Sequence, residues 1–402
     1  LTCASIHASG IPRDEYRARR AELRKNLDGV VVLIGNKEPD DLRLDYLQET
    51  NFLYLSGWYE AGAAMMITKN EEVLFLPDRN IRQELFTGRR LGPDDADAPQ
   101  KTGFDRVLPK SAMEATFMRM SETAKRVYTI PGQIEAQKLA ALAPLHDTAS
   151  AGPVIAKLRM MKSPAEIELL TKASEATVAA HLAAWKMIKA GEYEYQVAGT
   201  MVGTYESHGC EGNAYSPIVG SGPNSTILHY SANRRRMDSG EVLLMDVGAT
   251  CSDYAADVTR TVPVTGKFTP RQREIYEIVL GAQKAAIAAI KPGVHLRGEK
   301  SLQQIAMDYI NSHGKDLHGE SLGKYFTHGL SHHVGLDVHD PSEQNAPLKA
   351  GMVITVEPGI YIPEENIGVR IEDTVLVTED GSKNLSGGLP REVSEIEKLV
   401  GK

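Results

Sequence analysis

Four carboxylates stand where a carboxylate is costly. Asp246 lies inside the apolar run Glu241–Val247 and Asp257 inside Ala256–Val262, Glu357 closes Val353-Ile-Thr-Val-Glu, and Glu372 interrupts Val369-Arg-Ile-Glu. A charge in an otherwise apolar strand is expensive to bury unless it is neutralised. If the first two runs pair as a hairpin, Asp246 and Asp257 face each other across the ladder, too close for both to stay ionised without a cation. Taken singly, each acid is an ordinary strand residue; one shared divalent cluster accounts for all four.

The nitrogen ligand is expected from the segment His328 to Asp340, which holds His328, His332, His333 and His339. Histidines four apart are a feature of helical zinc proteases, but the glutamate that should follow the first is missing, and Gly329 and Gly335 argue against a helix. The segment reads as a loop and strand that present His332 to metal, with His328 and His339 nearby. One imidazole and four carboxylates suit manganese, with cobalt or zinc as substitutes. Five ligands exceed the needs of one tetrahedral ion. Bridging carboxylates would hold two ions about 3.5–4 Å apart around a water whose lowered pKa makes it a nucleophile at neutral pH. The chemistry is metal-assisted hydrolysis.

Elements must bring these residues together. The first 150 residues alternate strands, such as Gly29–Ile34 and Val73–Leu76, with helical stretches, an α/β pattern. Small and turn residues at Ala149–Pro153 mark a boundary, giving domains 1–150 and 151–402. Beyond it, Ser163-Pro-Ala-Glu166 and Thr269-Pro-Arg-Gln272 carry the N-cap, first-turn proline and N3 residue of a starting helix. A third helix is expected from about Leu296 to His313. The strand-like runs are Glu241–Val247, Ala256–Val262, Met352–Glu357 and the single run Gly368–Val377. Helices and strands in separate blocks predict an α+β catalytic domain on a largely antiparallel sheet.

The chain has 402 residues, 42% hydrophobic and 24% charged, which excludes disordered, collagen-like and coiled-coil classes. A net charge of −8 disfavours nucleic acid or an anionic membrane as partner. No apolar run reaches the ~18 residues of a membrane span. Cys3, Cys210 and Cys251 are too few and too far apart for a disulfide framework or a cysteine zinc site, and read as free thiols. A cytoplasmic location is expected. The opening Leu-Thr-Cys-Ala-Ser-Ile-His-Ala-Ser, read as the end of a trimmed signal peptide, makes export the alternative, and a tag remnant is the plainer explanation.

In order and neighbours, Asp246, Asp257, His332, Glu357 and Glu372 resemble the five ligands of the pita-bread metallopeptidases, the group of methionine aminopeptidase, prolidase and aminopeptidase P. The flanks resemble the aminopeptidase P branch: Ile218-Val-Gly-Ser-Gly-Pro-Asn, Leu228-His-Tyr230, Asp257-Val-Thr-Arg-Thr, Val356-Glu-Pro-Gly-Ile-Tyr361 and Arg370-Ile-Glu-Asp373. So do Asn51-Phe-Leu-Tyr-Leu-Ser-Gly57 and Leu85-Phe-Thr-Gly-Arg-Arg-Leu-Gly92. The likeness spans nearly the whole chain and implies a creatinase-like amino-terminal α/β domain before a pita-bread catalytic domain.

By that resemblance Asp257 and Glu372 bridge two metals, Asp246 serves one, and His332 and Glu357 the other. Glu357 also takes the proton of the shared water. His229 and His339 steady the substrate carbonyl and the tetrahedral intermediate, and His328 lines the pocket after the scissile bond. Arg370 holds substrate or site geometry, Tyr215 lies near the substrate amino end and Tyr361 assists catalysis. The implied reaction removes the residue before a proline in second position, from a proline-containing peptide, by a homodimer or homotetramer. Prolidase, acting on Xaa-Pro dipeptides, is the alternative. A metal-free creatinase-like hydrolase and a non-catalytic binding protein are disfavoured by the intact acidic set. His333 departs from the family's usual bulky apolar residue, which predicts a more polar pocket wall.

Overall fold

The computed structural model describes residues 10–41 and 43–401. Cys3 and the leader reading lie outside the described residues. The chain separates into two units between Arg159 and Met160, so the helix Gly152–Met160 continues past the turn at Ala149–Pro153 before the chain divides.

The first unit is built on strands β1 (Val30–Ile34), β2 (Ala64–Ile67), β3 (Glu72–Leu76), β4 (Arg106–Pro109), β5 (Arg126–Thr129) and β6 (Asp147–Ser150), ordered β4-β3-β2-β1-β5-β6. β2 runs antiparallel to both neighbours and the remaining pairs are parallel. All five residues of β1 and of β3 are buried, as expected of strands covered on both faces; β1 is wholly apolar, and β3 is apolar after Glu72, which is paired with Arg20. Val30, Val32, Phe75, Val127 and the helix residue Phe117 form the core.

The second unit carries eleven short strands, all paired antiparallel. These are β7 (Gly212–Asn213), β8 (Ile218–Ser221), β9 (Val242–Val247), β10 (Ala249–Cys251), β11 (Tyr254–Ala255) and β12 (Val258–Pro263). β13 (Val353–Val356), β14 (Gly359–Ile362), β15 (Ile367–Arg370), β16 (Asp373–Val377) and β17 (Ser382–Asn384) follow. Helices Pro164–Trp185, Glu194–Ser207, Pro270–Ala288 and Leu302–His313 belong to the same unit. The two predicted helix starts carry full capping boxes: Ser163 with Glu166 and Thr269 with Gln272. Mixed helices and sheets in separate blocks give the α+β arrangement. Among the described residues no helix is long and apolar enough to cross a membrane.

Four expectations need correction. The third helix begins at Leu302, because Ser301, whose side chain accepts from the Gln304 N–H, is the cap. The run Gly368–Val377 is two strands, β15 and β16, which pair in different sheets and leave Ile371 and Glu372 at the break. In the β9–β12 ladder, Asp246 is paired with Thr259, and Asp257 precedes β12, so the two acids meet diagonally on one face instead of directly. Finally, Cys210 and Cys251 are not free thiols but a disulfide. Their 41-residue separation hid the pairing; β7 lies against β10, with Gly212 opposite Thr250, which brings the flanking cysteines together.

Candidate metal centre

Asp257, Glu357 and Glu372 sit at strand ends and breaks, and Asp246 projects from within a ladder to meet them. Asp246 lies on β9 between Ile218 of β8 and Thr259 of β12. Asp257 enters from the β10–β11 hairpin, and its carbonyl accepts from the Thr374 hydroxyl at 2.8 Å. Gly248 allows the hairpin to close: a Cβ there would collide with the Ala256 carbonyl. Glu357 follows β13, and its N–H donates to Leu330 O at 2.9 Å. Glu372 occupies the β15–β16 break, where its N–H donates to Thr259 O at 3.0 Å and the Thr259 hydroxyl donates to its Oε2 at 2.6 Å.

His332 joins them from a strand-like segment. Its carbonyl accepts from the Thr355 N–H and its own N–H donates to the Thr355 hydroxyl, while its Nδ1 lies 3.1 Å from the His333 carbonyl, which turns Nε2 toward the acids. Nε2 stands 3.3 Å from Asp257 Oδ2 and 3.3 Å from Glu357 Oε1. One ligand atom each from Asp257, His332 and Glu372 falls within 4.8 Å of the others. Asp246 is linked through Tyr215, whose hydroxyl is 2.5 Å from Oδ1 of both Asp246 and Asp257. All five predicted ligands therefore line one cavity of about 380 Å³, together with Tyr215, His229 and His339.

The electrostatics describe a charge-starved site. Burial, then the charges of Asp246 and Glu357, pushes Asp257 well above the ordinary carboxylate range. Burial and Glu372 do the same to Glu357, and burial with Asp257 and Asp246 to Glu372. Burial also pushes Asp246 upward, but the Arg370 charge and hydrogen bonds from Tyr215 and Arg370 outweigh it and hold Asp246 low. Three carboxylates that resist ionisation, Asp257 and Glu372 buried and Glu357 partly so, form with one imidazole an oxygen-rich donor set. That set fits hard divalent cations, which would neutralise it.

The other predicted residues surround this set. Arg370 is buried and donates to Asp246 Oδ2 at 2.5 Å and to the Tyr361 hydroxyl at 2.7 Å. The Tyr361 hydroxyl also lies 2.8 Å from His328 Nε2. Burial lowers His328 to about 4, so its imidazole is neutral at neutral pH. His339 stacks edge-on against His332 with centroids 4.4 Å apart, and burial lowers its pKa too. His229 lines this cavity and an adjoining one that His328 and Arg370 also border. His333 is buried and neutral, lowered to about 4 by burial; it lines a third cavity beside Asp340, away from the acids.

Three residues to which the sequence assigned no role brace the acids: Thr259, Thr355 and Thr374. The Thr355 hydroxyl donates to Glu357 Oε1 at 3.1 Å and accepts from the His332 N–H. A signal was present for two of them. Asp257-x-Thr259 and Thr355-x-Glu357 place threonine and acid two apart, hence on one face of an extended chain. A buried ion pair, Lys162 Nζ to Asp340 Oδ2 at 3.0 Å, ties the helix junction to the loop that carries His339.

Residues 168–379 match the model of metallopeptidase family M24, and residues 16–128 that of the aminopeptidase P N-terminal domain. The Xaa-Pro aminopeptidase of Escherichia coli K12 is 34% identical, covering 98% of both chains. The structure of E. coli aminopeptidase P with the inhibitor Pro-Leu superposes with a TM-score of 0.87 at 32% identity, covering 97% of this chain and 98% of the other. A zinc-substituted form of that enzyme in complex with product gives 0.86 at 32% identity over the same shares.

Proposed function

The chain belongs to metallopeptidase family M24, and from that membership we propose that it is an Xaa-Pro aminopeptidase, cleaving the bond between a peptide's first residue and a proline in second position. The observation that carries this reading is the convergence of Asp246, Asp257, His332, Glu357 and Glu372 on one cavity. Two divalent ions, manganese first with cobalt or zinc as substitutes, would be held by Asp246 on one side and His332 and Glu357 on the other with Asp257 and Glu372 between, supplying Lewis acidity and a water activated at neutral pH.

The protein's own groups do the rest. Glu357 takes the proton from the attacking water and returns it to the proline nitrogen, which leaves as an amine. Thr355 fixes the Glu357 carboxylate for that transfer through its hydrogen bond to Oε1. An imidazole can donate a ring N–H, so His339 and His229 can hold the carbonyl oxygen as its charge grows. His328, neutral and held by Tyr361, offers a flat wall to the proline ring. Arg370 fixes Asp246 and Tyr361 in place. The substrate bond is a tertiary amide with no N–H, so a protease that reads its substrate by strand pairing lacks a donor there. A site that grips the free amine and the carbonyl does not need one.

Assembly as a homodimer or homotetramer is part of the same reading. As to compartment, the Cys210–Cys251 bond supports the export alternative over a cytoplasmic one, because cytosolic thiols are kept reduced. The test is metal analysis of the purified protein with hydrolysis of Xaa-Pro and Xaa-Pro-Yaa substrates, with manganese and with chelator. Chelator-sensitive cleavage of Xaa-Pro-Yaa is expected. Cleavage of neither substrate would sink the peptidase reading, and cleavage of the dipeptide alone would make the enzyme a prolidase.

A further inference from the structure

The cavities around the acids contain a polarity that the reaction does not require. Three adjoining cavities border the site, and the only lysine or arginine side chains among their lining residues are Arg370 and Arg297. Arg370 is committed to Asp246 and Tyr361. Arg297 is exposed, and no hydrogen bond or ion pair engages its guanidinium among the described residues. It borders two of the three cavities, one of them shared with His328, Asp246 and Glu357, and is absent from the one containing Asp257 and Glu372.

The loop that carries it is held from several directions. A Cβ on Gly329 would lie 2.7 Å from Arg297 Nη2, so the guanidinium lies against the Gly329 backbone. The loop carrying Arg297 is stitched to the following helix by Leu302 N–H to His295 O at 3.0 Å and Gln303 N–H to Leu296 O at 3.1 Å. Gln303 in turn accepts from the Leu330 N–H at 2.5 Å, and His295 Nδ1 lies 2.9 Å from Asn345 O. An unpaired guanidinium on an anchored loop beside a peptide site can receive a carboxylate: its planar fork matches two carboxylate oxygens.

We propose that Arg297 binds the free carboxylate at the carboxyl end of a short substrate, downstream of the proline, and so selects Xaa-Pro-Yaa tripeptides. This rests on the Xaa-Pro aminopeptidase reading and sharpens it. The acidic end of the site takes the substrate amine, and the unpaired cation at the other end takes its carboxylate. The two charges of a short zwitterionic peptide thus set its direction. A longer peptide, whose chain continues past Yaa, forfeits the contact.

The experiment compares an Xaa-Pro-Yaa tripeptide with its carboxyl-terminal amide on the metal-loaded wild-type enzyme and on Arg297→Gln and Arg297→Lys. Wild type should show a KM lower for the acid than for the amide by about tenfold, the scale of one charge-assisted hydrogen-bonded contact at a solvent-accessible rim. Arg297→Gln should raise KM for the acid to that of the amide with kcat unchanged, and Arg297→Lys should recover part of the difference. Calorimetric binding of the Pro-Yaa product and its amide should follow the same order. Equal KM for acid and amide in wild type, or an equal rise for both in Arg297→Gln, would overturn the proposal while leaving the peptidase reading standing. Wild type that cleaves neither peptide would overturn the peptidase reading itself.

Discussion

The Tyr215 hydroxyl stands 2.5 Å from Oδ1 of both Asp246 and Asp257, one hydrogen placed between two carboxylates. Without it, those acids would meet with a hydrogen bond from Arg370 to Asp246 alone. Tyr215→Phe should therefore cost the metal-free protein about 1.5–3 kcal/mol, the range for a hydrogen bond to a charged group. Divalent ions neutralise the same acids, so the metal-loaded protein should lose less than half as much. Thermal unfolding with chelator and with saturating manganese measures both. An equal loss in the two states would show that the hydroxyl does not serve the acids.

Glu357→Gln keeps the shape of the side chain and an oxygen to accept from Thr355, but removes the base and one ligand charge. The fold should survive, because Glu357 is anchored by its backbone N–H to Leu330 O. Turnover should drop by about 10²–10⁴, the usual contribution of a positioned general base. Circular dichroism checks the fold and kcat on an Xaa-Pro-Yaa peptide checks the chemistry. Near-normal kcat would remove Glu357 from the role of base.

The four acids were legible as a cluster because burial makes a strand carboxylate conspicuous. Their mutual geometry was not: the diagonal meeting of Asp246 and Asp257 depends on the β9–β12 register, which alternation alone leaves free by two residues. Glu372 looked like the middle of one strand because both halves of Gly368–Val377 are apolar, and nothing local marks a change of sheet. Ser163 and Thr269 were readable as helix starts because capping is local chemistry. The start at Ser301 was misplaced since Val294 and Leu296 extend the apolar spacing upstream, and both pack against the core from the loop. Cys210 and Cys251 were misread for the opposite reason: their pairing is wholly tertiary.

That disulfide closes a long loop over the chain that delivers Tyr215 and Asp246. For a sequence separation of 41 residues, constraint of the unfolded chain is worth about 3–4 kcal/mol. Cys210→Ser should lower the unfolding midpoint accordingly, and reductant should lower the wild type to the same point while leaving the variant unaffected. Thiol labelling of the unreduced, denatured protein should find one free cysteine of the three. Three labelled thiols, with a midpoint insensitive to reductant, would refute the bond.

His181 gives the fold a pH dependence separate from catalysis. It is fully buried on the helix Pro164–Trp185, with Nε2 3.2 Å from the Val258 carbonyl, at the root of β12. Burial, and then the charge of Arg260, lowers its pKa from 6.5 to about 3. The folded protein thus keeps this imidazole neutral where the unfolded chain protonates it. Its contribution to stability is complete above the unfolded pKa and is lost progressively as pH falls toward the folded one. Between pH 7.5 and 5 the loss from this group should be about 2 kcal/mol, at 1.4 kcal/mol per unit below the unfolded pKa. His181→Gln retains a donor for Val258 but cannot titrate. Denaturant unfolding should find the variant less stable than wild type at pH 7.5, with the difference shrinking by about 2 kcal/mol at pH 5. Parallel pH profiles for the two proteins would show that His181 is protonated equally in the folded and unfolded chains.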